Sequence, residues 1–201
     1  MRDVAIKAAL ANPITHQIGG HLALDFCNTA GEHLADKPDE MFPDWESFIR
    51  WAAQVGLVTP ETYPELLPHP SSIGKIVQLR EAIYRAGLAI ARGDRIPQSD
   101  LLAIRAQANA AKPTVVNGRD GLRWQPDPSR ASAQLRSILA TEALSLFCSP
   151  RSARIGICEG GQCGWLFLDE SRGKRRRWCD MNDCGNRAKA RRYYQQQHQK
   201  K

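Results

Sequence analysis

Four cysteines constrain the end of this chain more than any other feature. Cys158 and Cys163 are separated by four residues, Cys179 and Cys184 by another four, and fifteen residues lie between the pairs. Zinc takes a tetrahedral shell of thiolates or imidazoles. Two pairs on tight turns bring four sulfurs to one point, and the tetrads between them, EGGQ and DMND, are turn compositions. Four protein ligands leave no open coordination position, so the spacing predicts one structural Zn2+ and no metal catalysis. Two metal-free pairs of buried thiols are the bland alternative, and an iron–sulfur cluster also uses four cysteines. The paired spacing favours zinc. A segment this short has little apolar core, so metal binding is expected to supply its folding free energy.

The insert between the pairs reads as a hairpin. Trp165, Leu166, Phe167 and Leu168 form one strand, Ser171, Arg172 and Gly173 the turn, and residues 175–178 the return. A helix is expected after Cys184, over GNRAKARRYYQQQ. The order knuckle, β-hairpin, knuckle, helix is treble-clef-like. This segment also holds the positive charge. From residue 151 onward there are 13 Lys/Arg against 5 Asp/Glu, a net of +8, whereas the first 150 residues hold 15 against 16, a net of −1. Arg175, Arg176 and Arg177 follow the hairpin; Arg187, Lys189, Arg191 and Arg192 follow the helix. They are the expected contacts to a polyanion, with DNA the partner such a surface fits. An ordinary solvated basic helix is the alternative.

The first 150 residues read as mainly helical, with 42% hydrophobic content in the chain as a whole. Asp44 caps a helix whose apolar face is Trp45, Phe48, Ile49, Ala52 and Val55, ended by Gly56. Thr59-Pro60-Glu61 reads as a further helix start. Residues 73–92 form the longest amphipathic helix, with Ile76, Leu79, Ile83, Ala86 and Ile90 on one face and Gly93 beyond it. Ser99 or Asp100 caps a helix over LLAIRAQANAA, Asn117-Gly118 marks a hairpin, and residues 129–148 form another helix broken at Ser149-Pro150. Residues 21–29, HLALDFCNT, are a buried strand or a helix start; periodicity does not decide. The expected fold is mainly α with small β-hairpins: a helical domain over 1–150, the linker SPRSAR, and a zinc finger over 151–201.

No apolar run reaches the length of a membrane span. Lys7 and Pro13 interrupt the N-terminal stretch, and no secretory signal is read there. A cytoplasmic location with reduced thiols follows. Cys27 and Cys148 lie in apolar surroundings and are expected to be buried. Asp25, Asn28 and Thr29 close an apolar run; they could line a ligand pocket, though capping the next helix is the favoured role. His21 and His33 near Asp25, Glu32 and Asp36 lack a recognised metal spacing. Trp45, Trp51 and Trp124 could wall a cavity, but aromatics at helical spacing are usually core.

Cys184-Gly185-Asn186-Arg187 resembles the signature of the bacterial CGNR zinc-finger proteins, and the stretch from Cys163 to Tyr194 is similar to that finger throughout. Upstream, LALDFCNT (22–29) and the hairpin ending in Leu122-Arg123-Trp124 resemble the ABATE domain that accompanies it. Phe26-Cys27 replaces the aliphatic pair common in that start motif. The resemblance implies a stress-responsive transcriptional regulator, with a helical sensing or interaction domain joined to a DNA-binding module. It places the four cysteines at the metal, with Asn186 and Arg187 in structural roles, a helix cap and an acidic pair, open to them. The resemblance names no effector, and no dimer seam is legible, although regulators reading symmetric sites commonly dimerise. Two readings compete with DNA binding. A zinc-stabilised module could dock an acidic protein, and an enzyme could use an N-terminal pocket. The enzyme is weakest, because no nucleophile–base pair, phosphate loop or open metal site is present.

Overall fold

A computed structural model describes residues 11, 13–68, 72–112, 114–118 and 121–198 of the chain. In chain order the elements are α1 (Leu22–Cys27), β1 (Ala30–Gly31), β2 (Asp39–Glu40), α2 (Trp45–Gln54), α3 (Tyr63–Leu66), α4 (Ile73–Arg92), α5 (Gln98–Ala108), β3 (Thr114–Gly118), β4 (Gly121–Gln125) and α6 (Ala131–Phe147). A 3-10 turn (Pro150–Arg154), β5 (Ile155–Ile157), β6 (Leu166–Leu168), a π turn (Met181–Gly185) and α7 (Asn186–His198) follow. The strands pair only as antiparallel couples, β1 with β2, β3 with β4 and β5 with β6. The chain is therefore mainly α with small hairpins, as its sequence predicts.

Local chemistry sets several boundaries. Asp44 accepts from Ser47 N–H at 2.8 Å, and the Ser47 hydroxyl closes a capping box on α2. Gly93 ends α4 in the left-handed conformation, φ 76°. The run at residues 21–29 resolves as a helix, with His21 accepting from Ala23 N–H at its start. Other boundaries move. The segment at Thr59 makes a turn first, with Thr59 accepting from Thr62 N–H at 3.3 Å, and α3 begins only at Tyr63 with Pro64 in its first turn. Pro97 rather than Ser99 or Asp100 precedes α5, because the Asp100 carboxylate is taken by Arg85 at 2.6 Å. Asn117 and Gly118 lie within β3, paired with Leu122 and Gly121, and the intervening turn falls outside the described residues. Residues 69–71, ahead of α4, also lie outside them. Cys27 is buried as expected, but Cys148 is exposed: it stands at the C-terminal cap of α6, where the chain leaves for the 3-10 turn.

The hairpin at the start of the finger sits inside the helical core. Ile155, Leu166 and Leu168 belong to the same buried cluster as Leu24, Phe26, Phe48, Trp51, Ile83 and Leu139. Gly87 makes this possible: a Cβ there would lie 2.7 Å from Leu166 Cδ1. Asn28, with no exposed surface, receives Leu166 N–H at 2.9 Å and donates to Leu166 C=O at 2.9 Å, satisfying both backbone groups of the first residue of β6 from 138 positions away. The segment expected to be a linker is a 3-10 turn packed on α4 and α6. Trp45 and Trp51 fill the core, whereas Trp124 is half-exposed on the β3–β4 hairpin.

Replacing Asn28 with Ala strands two buried backbone groups. Each unmade hydrogen bond costs about 1–3 kcal/mol, so Asn28→Ala should lose roughly 2–6 kcal/mol in a urea titration, with both parts of the chain unfolding together. Asp25 gives a pH test. Burial pushes its carboxyl up to about 6, partly opposed by Gly19 N–H. The folded state thus holds this proton more tightly than the unfolded chain, and the stabilisation it brings is lost as pH rises from about 4 through about 6. Asp25→Asn should stabilise the protein by roughly 2–3 kcal/mol near neutral pH, with the gain shrinking toward about pH 4, in paired denaturation curves.

Candidate metal centre and basic surface

The first knuckle is the loop of the β5–β6 hairpin. Cys158 N–H donates to Trp165 C=O at 2.8 Å, closing the strands around residues 159–164. This corrects the expected strand pairing: Leu166–Leu168 pairs with Ile155–Ile157, and residues 175–178 run alongside without forming a strand. The three-residue apolar run before Cys158 wins because it extends the core that already holds Leu166, whereas the return segment is four residues of mostly cationic surface. The second knuckle begins at Cys179. Asp180 accepts from Asn182 N–H at 2.8 Å and opens the π turn that carries Cys184 into α7.

All four sulfurs lie within 4.8 Å of one another and all four cysteines are buried. Cys163 Sγ and Cys179 Sγ are 3.7 Å apart. A tetrahedron with zinc–sulfur bonds of about 2.3 Å has edges of about 3.8 Å. The cluster therefore fits one structural zinc, filled by protein ligands. Four converging thiolates repel one another until a dication joins them. Hydrogen bonds from the Cys163 and Cys179 thiols drive Cys158 down to about 2, and the same contacts push Cys163 up to about 12 and Cys179 further still. Metal binding must displace those protons. Gly160 is required here by space: a Cβ would stand 2.7 Å from Cys184 Sγ.

The residues after Cys184 serve the same centre. A Cβ on Gly185 would lie 2.6 Å from Met181 Sδ, against Trp178. Asn186 donates to Asn182 C=O at 3.0 Å, tying the start of α7 to the π turn. Arg187 Nη2 donates to Cys184 Sγ at 3.2 Å and its Nε pairs with Asp183 at 3.1 Å. The sulfur contact holds this guanidinium above its usual range. The helical part grips the first knuckle from outside: His33 N–H donates to Cys163 C=O at 2.9 Å, Leu34 N–H to Gln162 C=O at 2.9 Å, and Tyr84 Oη to Gly164 C=O at 3.1 Å.

The basic residues divide into two kinds. Arg176 is internal: it donates to the carbonyls of Trp178, Leu168, Ile18 and Cys179, and its guanidinium lies 4.3 Å from the Phe167 ring centroid. Expected on the DNA surface, Arg176 has its donors engaged by backbone carbonyls. Arg177 pairs with Glu159 at 2.8 Å and covers Trp178. Arg175 is exposed, and its side chain donates to the Arg172 carbonyl at 3.3 Å. Lys189, Arg191 and Arg192 are exposed on α7, with no ion pair among the described residues. Between that helix and the first knuckle lies a shallow depression of about 270 Å³ lined by Gly161, Trp178, Arg191 and Arg192.

Asp25, Asn28 and Thr29 are brought together but face inward. Asp25 accepts from Gly19 N–H at 2.8 Å, Asn28 holds Leu166, and Thr29 donates to Phe26 C=O at 2.7 Å. His33 pairs with Glu81 at 3.1 Å and stacks on Tyr84 at 3.6 Å between centroids. Among the described residues the four cysteines form the only metal-type cluster. Sequence reasoning missed Arg80, 2% exposed, which forks onto Glu40 at 2.7 Å and reaches Glu81 and Thr29. The signal was present: Arg80 falls on the apolar face of residues 73–92, four after Ile76, where a lone charge needs buried partners.

These features match two family models: ABATE, described as "Putative stress-induced transcription regulator", over residues 20–150, and the CGNR zinc finger over residues 154–197. The chain belongs to the ABATE family and ends in a CGNR zinc finger. No curated protein matches it. No helix among the described residues is long and apolar enough to cross a membrane.

The division of the arginines is testable. Arg176→Ala removes donors from several carbonyls and should cost roughly 3 kcal/mol or more. It should also speed zinc loss to a chromogenic chelator. Arg191→Ala should leave both the melting temperature and zinc release unchanged.

Proposed function

We propose that this protein is a cytoplasmic, zinc-dependent DNA-binding transcriptional regulator of stress responses, and not an enzyme. The observation that carries the reading is the state of α7. The zinc site anchors its first turn, yet from Lys189 onward its described side chains are exposed on every side. A helix polar all round gains little from packing. It stays because the metal and the Arg187–Cys184 contact fix its start, and it presents Lys189, Arg191 and Arg192 as cations with no ion pair among the described residues. Tyr193 and Tyr194 stand beside them, 61% and 64% exposed. A rigidly based cationic helix with flanking aromatics suits phosphate contact and groove docking. Arg172 and Arg175 on the exposed turn before Cys179 would extend the footprint. In this reading Arg187 positions the helix, Arg177 is held by Glu159, and neither is a primary phosphate contact. Two-fold pairing on a symmetric DNA site remains part of the proposal only through the DNA, since α7 alone supplies one half-site.

The test is fluorescence anisotropy of zinc-loaded protein with duplex DNA across a salt series. Each phosphate contact contributes about 0.9 to the slope of log K against log salt, so a surface of three to five contacts should give a slope between about −2.7 and −4.5. Arg191→Ala/Arg192→Ala should lower that slope by about 2 with an unchanged melting temperature. Loss of binding on chelation is expected as well. Binding that ignores salt, chelation and both substitutions would remove the finger as the DNA contact and point to an acidic protein partner.

A further inference from the structure

Two helices of the N-terminal part begin at the same cleft. α4 starts at Ile73 and α6 at Ala131, and their first turns line a depression of about 660 Å³ together with Lys75, Arg130 and Arg136. Neither start is capped by a side chain: Ser72 and Arg130 occupy the cap positions without accepting from the first turn. The free N–H groups and partial positive charge of a helix start therefore meet this cleft twice. No carboxylate is among the described residues that line it.

Arg136 is the second and independent sign. It is only 8% exposed, its Nε has no hydrogen-bond partner, and it makes no ion pair among the described residues. Burial without a counter-charge pulls its guanidinium below the usual arginine range. Side chains on a helix lean back toward its N-terminus. From the second turn of α6, Arg136 thus reaches over Ser132 and Ala133 to the cleft that all three line. Arg80 and Arg176 show how the same molecule treats an arginine meant only for structure: the first forks onto Glu40, and the second caps backbone carbonyls. A buried guanidinium with open donors is unfavourable by itself and becomes favourable when an anion completes it.

We propose that this cleft binds a phosphate-bearing small molecule, held by Arg136, Lys75 and Arg130 together with the open first turns of α4 and α6. Three cations and two helix starts suit a dianionic phosphoryl group better than a single carboxylate. The depression exceeds one phosphate, leaving room for the rest of a metabolite. The site is separate from the metal centre and does not depend on DNA binding. It does share its scaffold with the finger, because further along α4 Gly87 stands against both Leu166 and Phe147 of α6.

The experiment is isothermal titration of the full-length, zinc-loaded protein with inorganic phosphate and with glycerol 3-phosphate, against chloride at matched ionic strength, alongside thermal melts. Saturable binding of one equivalent that raises the melting temperature is expected. Arg136→Met and Lys75→Met should each weaken it by at least about tenfold. Arg136→Met loses no hydrogen-bond or ion-pair partner among the described residues, so the free protein should melt no lower than the wild type, which a structural arginine would not allow. Arg191→Ala/Arg192→Ala should bind phosphate normally while losing DNA. The proposal falls if chloride gives the same thermal shift, or if both cleft variants bind phosphate like the wild type. It falls equally if Arg136→Met abolishes DNA binding and no phosphate binding is seen, which would make the cleft part of the nucleic-acid surface. Should Arg136→Met fail to fold, the exposed Lys75→Glu decides the matter by the same titration.

Discussion

The paired hydrogen bonds between Asn28 and Leu166 lie at the point where the two parts of this chain become one structure. A three-residue strand such as Leu166–Leu168 has too little length to be stable as an isolated hairpin with Ile155–Ile157. It persists because its apolar residues are set into the core of the helical region and the backbone groups of its first residue are satisfied by a fully buried amide. Gly87 leaves the room, and Tyr84, His33 and Leu34 hold the carbonyls of the loop that follows. The first zinc knuckle is then the loop of a hairpin whose stem belongs to another domain's core. Metal and core therefore support each other: the ion fixes the loop, and the helices fix the stem.

The same arrangement sorts the cationic residues. Near the metal, Arg176 and Arg187 are drawn inward by carbonyls and by a thiolate, because a guanidinium offers several donors in a fixed fork and backbone acceptors crowd this small module. Farther along α7, Lys189, Arg191 and Arg192 make no ion pair among the described residues and are left to solvent. The electrostatic surface offered to a partner is thus what the metal site does not consume. At the other end of the molecule, the cleft between the starts of α4 and α6 holds the opposite case, an arginine buried before anything has come to pair with it.

The sequence by itself determined the features built from local pairs and regular spacing. Two Cys-x4-Cys turns favour convergence on one ion, and the period of Ile76, Leu79, Ile83 and Ala86 buries one face of a helix. The Asp44 cap and the Gly93 stop follow from backbone chemistry within a few residues. Tertiary structure decided whatever depended on distant partners. Leu166–Leu168 chose Ile155–Ile157 over the nearer 175–178 because the former completes an existing core. Asp25, Asn28 and Thr29 turned inward because Gly19, Leu166 and Phe26 supplied partners there. Arg176 and Arg177, adjacent and chemically identical, parted company because one faces carbonyls and the other Glu159. Spacing along a chain encodes which groups can meet locally; which of two equal side chains is spent on the fold depends on acceptors that only packing brings near.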